Sequence, residues 1–359
     1  MSDDSIENDV LWWNVITGPA RLVKTVVSDL IAGRSILIGV SEKLPWGDRM
    51  RRCVELSLSE KMFDLSVDFI DCAYEDDLSL TAGQYLLERL RGSDSRVAYG
   101  YRGSDDGIIP YIRDNDILKN RILWLKNLEN EKRLRRWLIF CLQYETNRDP
   151  LGGILVIESF LKLKVVPESL PEHVVFRDCD DEITFHDALL FCSLLSARLK
   201  LGGLWKQYIA TLAAELFYEN VGAAAAFIEN TDFCEEHPAD RIQGLSRNER
   251  PAKIDSLQRI VWKVQLQFVF PLIEKERIEL VERYKAEIDA ALQQSGTDAT
   301  WYRQQITDAY DAELGLLLRL DAPAFQKEDK QRLKFLYDCR NKLAHMKCCS
   351  PKELTMLFN

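Results

Sequence analysis

Ser35-Ile36-Leu37-Ile38-Gly39-Val40 is the stretch from which the first half of the chain is read. It is short, β-rich and offers no polar face, so it predicts a strand buried on both sides, the pattern of a parallel sheet. Before it, residues 9–30 carry apolar side chains at helical spacing, and Gly33 stands where a helix C-cap would. After it come further strand candidates at residues 63–70, 96–101, 121–125, 153–157 and 173–176. Helical stretches at 81–90 and 131–144 lie between several of them. This alternation predicts a three-layer α/β domain with a largely parallel sheet over residues 1–183. Residues 184–234 read as a helical middle section, an extension or lid, with helices at 185–199, 205–217 and 223–228. Residues 235–251 are polar, charged and carry two prolines, the composition of a linker. Residues 252–359 then read as helices at 253–270, 272–292, 301–320 and 329–345, lengths that suit an antiparallel bundle. Pro271 either opens the second of these or kinks a continuous helix.

Composition bounds the function. A chain of 359 residues exceeds what one hydrophobic core usually supports, which favours two or three domains. With 47% hydrophobic and 29% charged residues it has the make-up of an ordinary globular protein, and its net charge of -10 argues against a general nucleic-acid coat. Basic and acidic side chains nearly balance from Lys253 onward, so the acidity lies upstream. Lys327, Lys330, Arg332, Lys334, Arg340, Lys342, Lys347 and Lys352 gather near the C-terminus. No apolar run approaches the roughly 18–20 residues of a membrane span. Met1-Ser2-Asp3-Asp4 lacks the basic start of a signal peptide, which points to the cytoplasm. Nine cysteines form no Cys-x2-Cys pair, so neither zinc nor a disulfide framework is expected. Glu75-Asp76-Asp77 reads as a solvated loop and Asp178 to Glu182 as helix caps. No metal or cofactor is assigned.

The helix, strand and Gly-containing loop that open the chain are weakly similar to the P-loop type of nucleoside triphosphatase. That chemistry needs Gly-x4-Gly-Lys-Ser/Thr, whose amides and lysine hold the phosphates and whose hydroxyl holds magnesium. Here the first strand runs into Gly39-Val40-Ser41-Glu42-Lys43-Leu44-Pro45-Trp46-Gly47-Asp48, without Gly-Lys-Ser/Thr. Lys126-Asn127 follows Ile122-Leu123-Trp124-Leu125, where a metal-binding Asp-Glu would stand. The resemblance therefore implies a degenerate domain that has lost hydrolysis.

Function is read from Arg340-Asn341-Lys342-Leu343-Ala344-His345. Leu333, Leu336 and Leu343 form an apolar stripe, and Arg340 falls in register with them, where another apolar residue is expected. Asn341 and His345 share a helix face, while Arg340 and His345 diverge by about 140° at 3.6 residues per turn. Meeting over one substrate requires Arg's reach, a loosened helix end or a second subunit. Cleaving RNA without a metal needs a base of near-neutral pKa for the 2′-hydroxyl proton, which imidazole supplies. It also needs a fixed cation for the phosphate, which a guanidinium supplies with two parallel hydrogen bonds. Asn341 would orient the imidazole or donate to a phosphate oxygen. Lys334, Lys342 and Lys347 are the candidate contacts to the RNA backbone.

Arg-x4-His in the last long helix of an all-helical segment resembles the signature of the HEPN superfamily, and the stretch from Trp262 to Glu274 fits the long amphipathic helix of that family. The resemblance covers roughly the last hundred residues. It implies a dimeric, metal-independent endoribonuclease with Arg340 and His345 in a composite site, leaving 2′,3′-cyclic phosphate ends. It also implies RNA, single-stranded or tRNA-like, and a protein regulator as partners, in the role of a conditional toxin of bacterial antiphage defence. Some members carry an aromatic two residues after the His; Lys347 stands there here. The alternative is a non-catalytic bundle that dimerises or docks on a larger, possibly ATP-driven complex.

Overall fold

Ser35–Gly39 is strand β1, and all five of its residues are buried. The computed structural model describes residues 8–40, 44–62, 64–74, 80–90, 107–128, 130–146, 148, 152–159, 170–243, 256–294, 306, 308–320 and 325–359. The strand expected at 96–101 and the acidic run at 75–77 lie outside them. The chain divides into two compact units, Met1–Phe191 and Cys192–Asn359.

In the first unit the order is α1 (Thr17–Ile31), β1, α2 (Gly47–Ser59), β2 (Ser66–Asp71), α3 (Ala82–Leu90), α4 (Ile108–Asp114), β3 (Arg121–Leu128), α5 (Glu131–Glu145), β4 (Ile154–Ser159) and β5 (Val174–Asp178). The strands form one sheet in the order β2-β3-β4-β1-β5 with every pairing parallel. Leu37, Leu123, Leu125, Leu155 and Ile157 face Leu86, Ile112, Trp137 and Phe140 of α3, α4 and α5. Their neighbours Ile36, Ile38, Trp124 and Val156 point to the other face and are equally buried. There α1 lies on β1 and α2 on α1. Both faces are covered, which is why β1 and β4 lack the alternation of a half-exposed strand. This is the three-layer α/β arrangement that the alternation of strands and helices predicts. The chain leaves β1 for the far edge and returns through β3 and β4. With right-handed crossovers that reversal puts α2 on the face opposite α3 to α5.

The expectation of one helix over residues 9–30 is corrected. Leu11–Val15 is a separate turn, Ile16 is extended with ψ 132°, and α1 starts at Thr17. Pro19 suits a first turn, where its missing N–H costs nothing. The Gly18 N–H donates to Asp187 Oδ1 at 2.8 Å. At the far end Gly33, with φ +72°, is the left-handed cap that its position predicts. Its N–H donates to Leu30 O, and the Arg34 N–H to Asp29 O, the paired bonds of a Schellman motif.

Helix α6 (Phe185–Ser196) spans the division between the units. The second unit then contains α7 (Gly203–Phe217), α8 (Val221–Asn230), α9 (Pro238–Gln243), α10 (Leu257–Arg283), α11 (Lys285–Gln294), α12 (Lys327–Ala344) and α13 (Pro351–Phe358). Pro271 sits inside α10 without ending it. Both Pro271 and Gln267, whose carbonyl the proline cannot reach with an N–H, are exposed, so the missing bond lies on the solvent side of the helix, where a freed carbonyl costs least. Contacts run antiparallel: Trp262 meets Leu343 at one end of α10, and Arg283 meets Asp329 at the other. On another side of α10, Tyr208 packs edge-on against Phe268 and Glu215 pairs with Lys263.

The single helix expected over 301–320 is also corrected. Its described part is a 3-10 turn, Ala309–Asp311, and one helical turn, Leu314–Leu317. Asp308 accepts from the Tyr310 N–H and Asp289 from the Ala309 N–H, bonds that compete with a continuing helix. Among the described residues no helix is long and apolar enough to cross a membrane.

Candidate functional site

The apolar face of α12 is Leu333, Leu336, Cys339 and Leu343, each fully buried. Cys339, not Arg340, fills the place between Leu336 and Leu343, which corrects the expectation of a cation in the seam. The Arg340 side chain lies at the edge of the seam, 37% exposed, with its guanidinium 3.6 Å from Glu313. At that distance and exposure the pair is a loose one that an incoming phosphate can replace.

His345 is the residue at which the helix stops. Its N–H donates to the carbonyls of Asn341 and Lys342, and its side chain is exposed. Met346 then takes φ 56°, with its N–H on Leu343 O and the Lys347 N–H on Lys342 O. This repeats the Schellman geometry of Gly33 with a methionine at the left-handed position, which is strained by about 1–2 kcal/mol for a residue with a Cβ.

Three residues of α10, at positions i, i+4 and i+7, hold the segment that follows. The Trp262 indole donates to Leu343 O at 2.7 Å, capping one of the last carbonyls of α12. The fully buried Gln265 amide makes both main-chain hydrogen bonds of Cys349, accepting from its N–H at 2.6 Å and donating to its C=O at 3.0 Å. Gln258 O accepts from the Cys348 thiol, whose pKa burial pushes up to about 11. Ser350 and Glu353 then form a reciprocal capping box that starts α13, with Pro351 in its first turn. The imidazole of His345 therefore stands on a turn fixed from both sides.

The other predicted residues are less uniform. Asn341 is half-buried one turn before His345 and is joined to it through its main-chain carbonyl. Lys342 reaches Glu353 at 2.6 Å, and this bond raises the lysine pKa. Lys334 pairs with Asp338 at 2.8 Å and lies over the Tyr337 ring. Arg332 of the basic cluster is held by both oxygens of Glu276. Lys347 is exposed, and no side-chain partner stands beside it among the described residues. The structure thus leaves His345, Lys347 and the outer edge of Arg340 open to solvent, while Lys334 and Lys342 are matched by carboxylates. Ser350-Pro351-Lys352-Glu353 is a capping-box signature readable in the sequence. Gln265 carried no such signal, because its role depends on a partner 84 positions away.

In the first unit a second cluster of charged side chains stands at the carboxyl ends of β1 and β4, where the winding of the sheet reverses. Glu158, 1% exposed, receives two bonds from Arg51 Nη1 at 2.7 and 2.8 Å and one from the Trp124 indole at 3.1 Å. Arg51 also binds Asp48, and Lys126 lies 3.5 Å from the same carboxylate. Asn127 donates to Asp71. The cations of this edge are thus matched by the chain's own carboxylates. No three His, Cys, Asp or Glu side chains converge as metal ligands among the described residues. Neither a scan against protein-family models nor a search of curated proteins returns a match to this chain.

Proposed function

We propose that the chain is a metal-independent endoribonuclease whose site is built from Arg340 and His345. The His345 imidazole takes the proton of a ribose 2′-hydroxyl, and that oxygen attacks the adjacent phosphorus. The new 2′-O–P bond forms as the P–O5′ bond breaks, and the departing 5′-oxygen takes a proton from an imidazolium. Arg340 exchanges Glu313 for the phosphate and holds the charge that builds on it, and Asn341 and Lys347 steady the strand beside it. The products are a 2′,3′-cyclic phosphate and a 5′-hydroxyl. The observation that carries this reading is an exposed histidine on a rigid helix cap, five residues after a loosely paired arginine. Because the two side chains diverge on one helix, the complete site contains Arg340 and His345 of a second subunit. The α/β unit, lacking a phosphate loop, serves as the regulatory half of a conditional effector in antiphage defence.

A second reading, a non-catalytic interaction bundle, is favoured by the carboxylates that neutralise Lys334 and Lys342. Incubating the full chain with labelled RNA in EDTA separates the two. Arg340→Ala and His345→Ala each abolish cleavage under the nuclease reading, and mixing the two inactive variants restores part of it through mixed dimers. Equal cutting by the wild type and both variants would assign the activity elsewhere.

A further inference from the structure

The first unit contains a cavity of about 690 Å³ between the starts of α3 and α4 and one stripe of α5. That is the size of a small-molecule pocket. Its wall is apolar where α4 and α5 meet, with Ile108, Ile109, Pro110, Ile139 and Phe140. Ile139 is 56% exposed, an aliphatic side chain left facing the opening. Three cations, Lys132, Arg135 and Arg136, share the same stripe one turn before it. Among the described residues no carboxylate lines the cavity, although the chain as a whole carries a net charge of -10. Arg135 is matched outside the lining by Glu131, and Arg136 is fixed at the rim by the Leu80 carbonyl. Lys132 is exposed beside them.

From this juxtaposition of an apolar wall and a cationic end, we propose that the cavity binds an amphipathic organic anion, an aliphatic body carrying one carboxylate. The body lies against Ile108, Ile139 and Phe140, where each buried methylene adds affinity, and the carboxylate sits at Lys132 and Arg136. A neutral or cationic molecule with the same body gains only the first of these terms. This inference is independent of the nuclease reading, since it concerns the other unit.

The test is calorimetric titration of the full chain with dodecanoate, with dodecylammonium as the probe of reversed charge. Dodecanoate binds saturably, and dodecylammonium binds at least about tenfold more weakly, as expected for a cation placed a few ångströms from like charges. Ile139→Glu, a change at an exposed position that places a carboxylate in the wall, removes dodecanoate binding, and Lys132→Glu weakens it about tenfold. Thermal melts of both variants establish that they fold. Absence of saturable binding, equal binding of the two probes, or wild-type affinity in folded Ile139→Glu would each overturn the proposal.

Discussion

Replacing Gln265 by leucine removes a side chain that completes the main-chain hydrogen bonding of a residue far away in sequence. Gln265 is fully buried and supplies both the acceptor for the Cys349 N–H and the donor for its C=O. Leucine fills much of the same volume, so the cost comes from the two orphaned peptide groups. At about 1–3 kcal/mol for each unsatisfied buried group, the loss is about 2–6 kcal/mol. Urea denaturation followed by far-ultraviolet circular dichroism measures it, and hydrogen exchange at the Cys349 amide locates it. Gln258 is the control, because it contributes only its backbone carbonyl and its side chain is exposed. Gln258→Ala stays within about 0.5 kcal/mol of wild type. A loss below about 1 kcal/mol in Gln265→Leu, with unchanged exchange at Cys349, would refute the claim that this amide anchors the turn carrying His345.

Three further outcomes follow from the same geometry. Glu158→Ala destabilises the first unit by about 3–5 kcal/mol because it leaves the buried Arg51 guanidinium with only the exposed Asp48 carboxylate to pair with, whereas the double change Arg51→Met/Glu158→Leu recovers most of that loss; chemical denaturation of both compares them. Met346→Gly raises stability by about 0.5–1 kcal/mol in thermal melts, since the left-handed backbone there penalises a Cβ and glycine gives back only part of that gain as chain entropy. Burial works against ionisation of Glu353, but its bonds to Lys342 and Ser350 outweigh it and hold the carboxyl below the ordinary glutamate value. Its stabilising contribution is therefore complete above that ordinary value and is lost as pH falls through the depressed one, while the raised lysine loses its share only as pH climbs through its own value. Glu353→Gln flattens the acid limb of the stability curve measured by pH-dependent melting.

The inner strands β1 and β4 were legible because burial on both faces leaves an unmistakable apolar run, as in Ser35 to Val40 and Ile154 to Ile157. Gly33 was legible for a different reason, since its backbone conformation is one that few other residues take up readily. Met346 adopts the same conformation and gave no such sign, because tertiary anchors on either side impose it against the residue's own preference. Periodicity placed α12 and the exposed end of its motif but put Arg340 in the seam. The spacing of Leu336 and Leu343 admits either residue 339 or 340 between them, and packing chose the smaller, apolar Cys339. The expected long helix over 301–320 failed where aspartates bind nearby main-chain N–H groups, an effect that an average over apolar spacing does not weigh. Pro271 was ambiguous because its effect depends on whether water reaches the carbonyl it frees, and exposure is a property of the folded unit.

Cleavage of an RNA carrying one 2′-deoxynucleotide at the mapped cut site, in EDTA, tests the role given to His345 most directly. The nuclease reading predicts 2′,3′-cyclic phosphate ends on the all-ribose strand, no cut at the deoxy position, and an intact strand with His345→Ala. Cutting at the deoxy position, or 3′-hydroxyl ends that persist in His345→Ala, would contradict it.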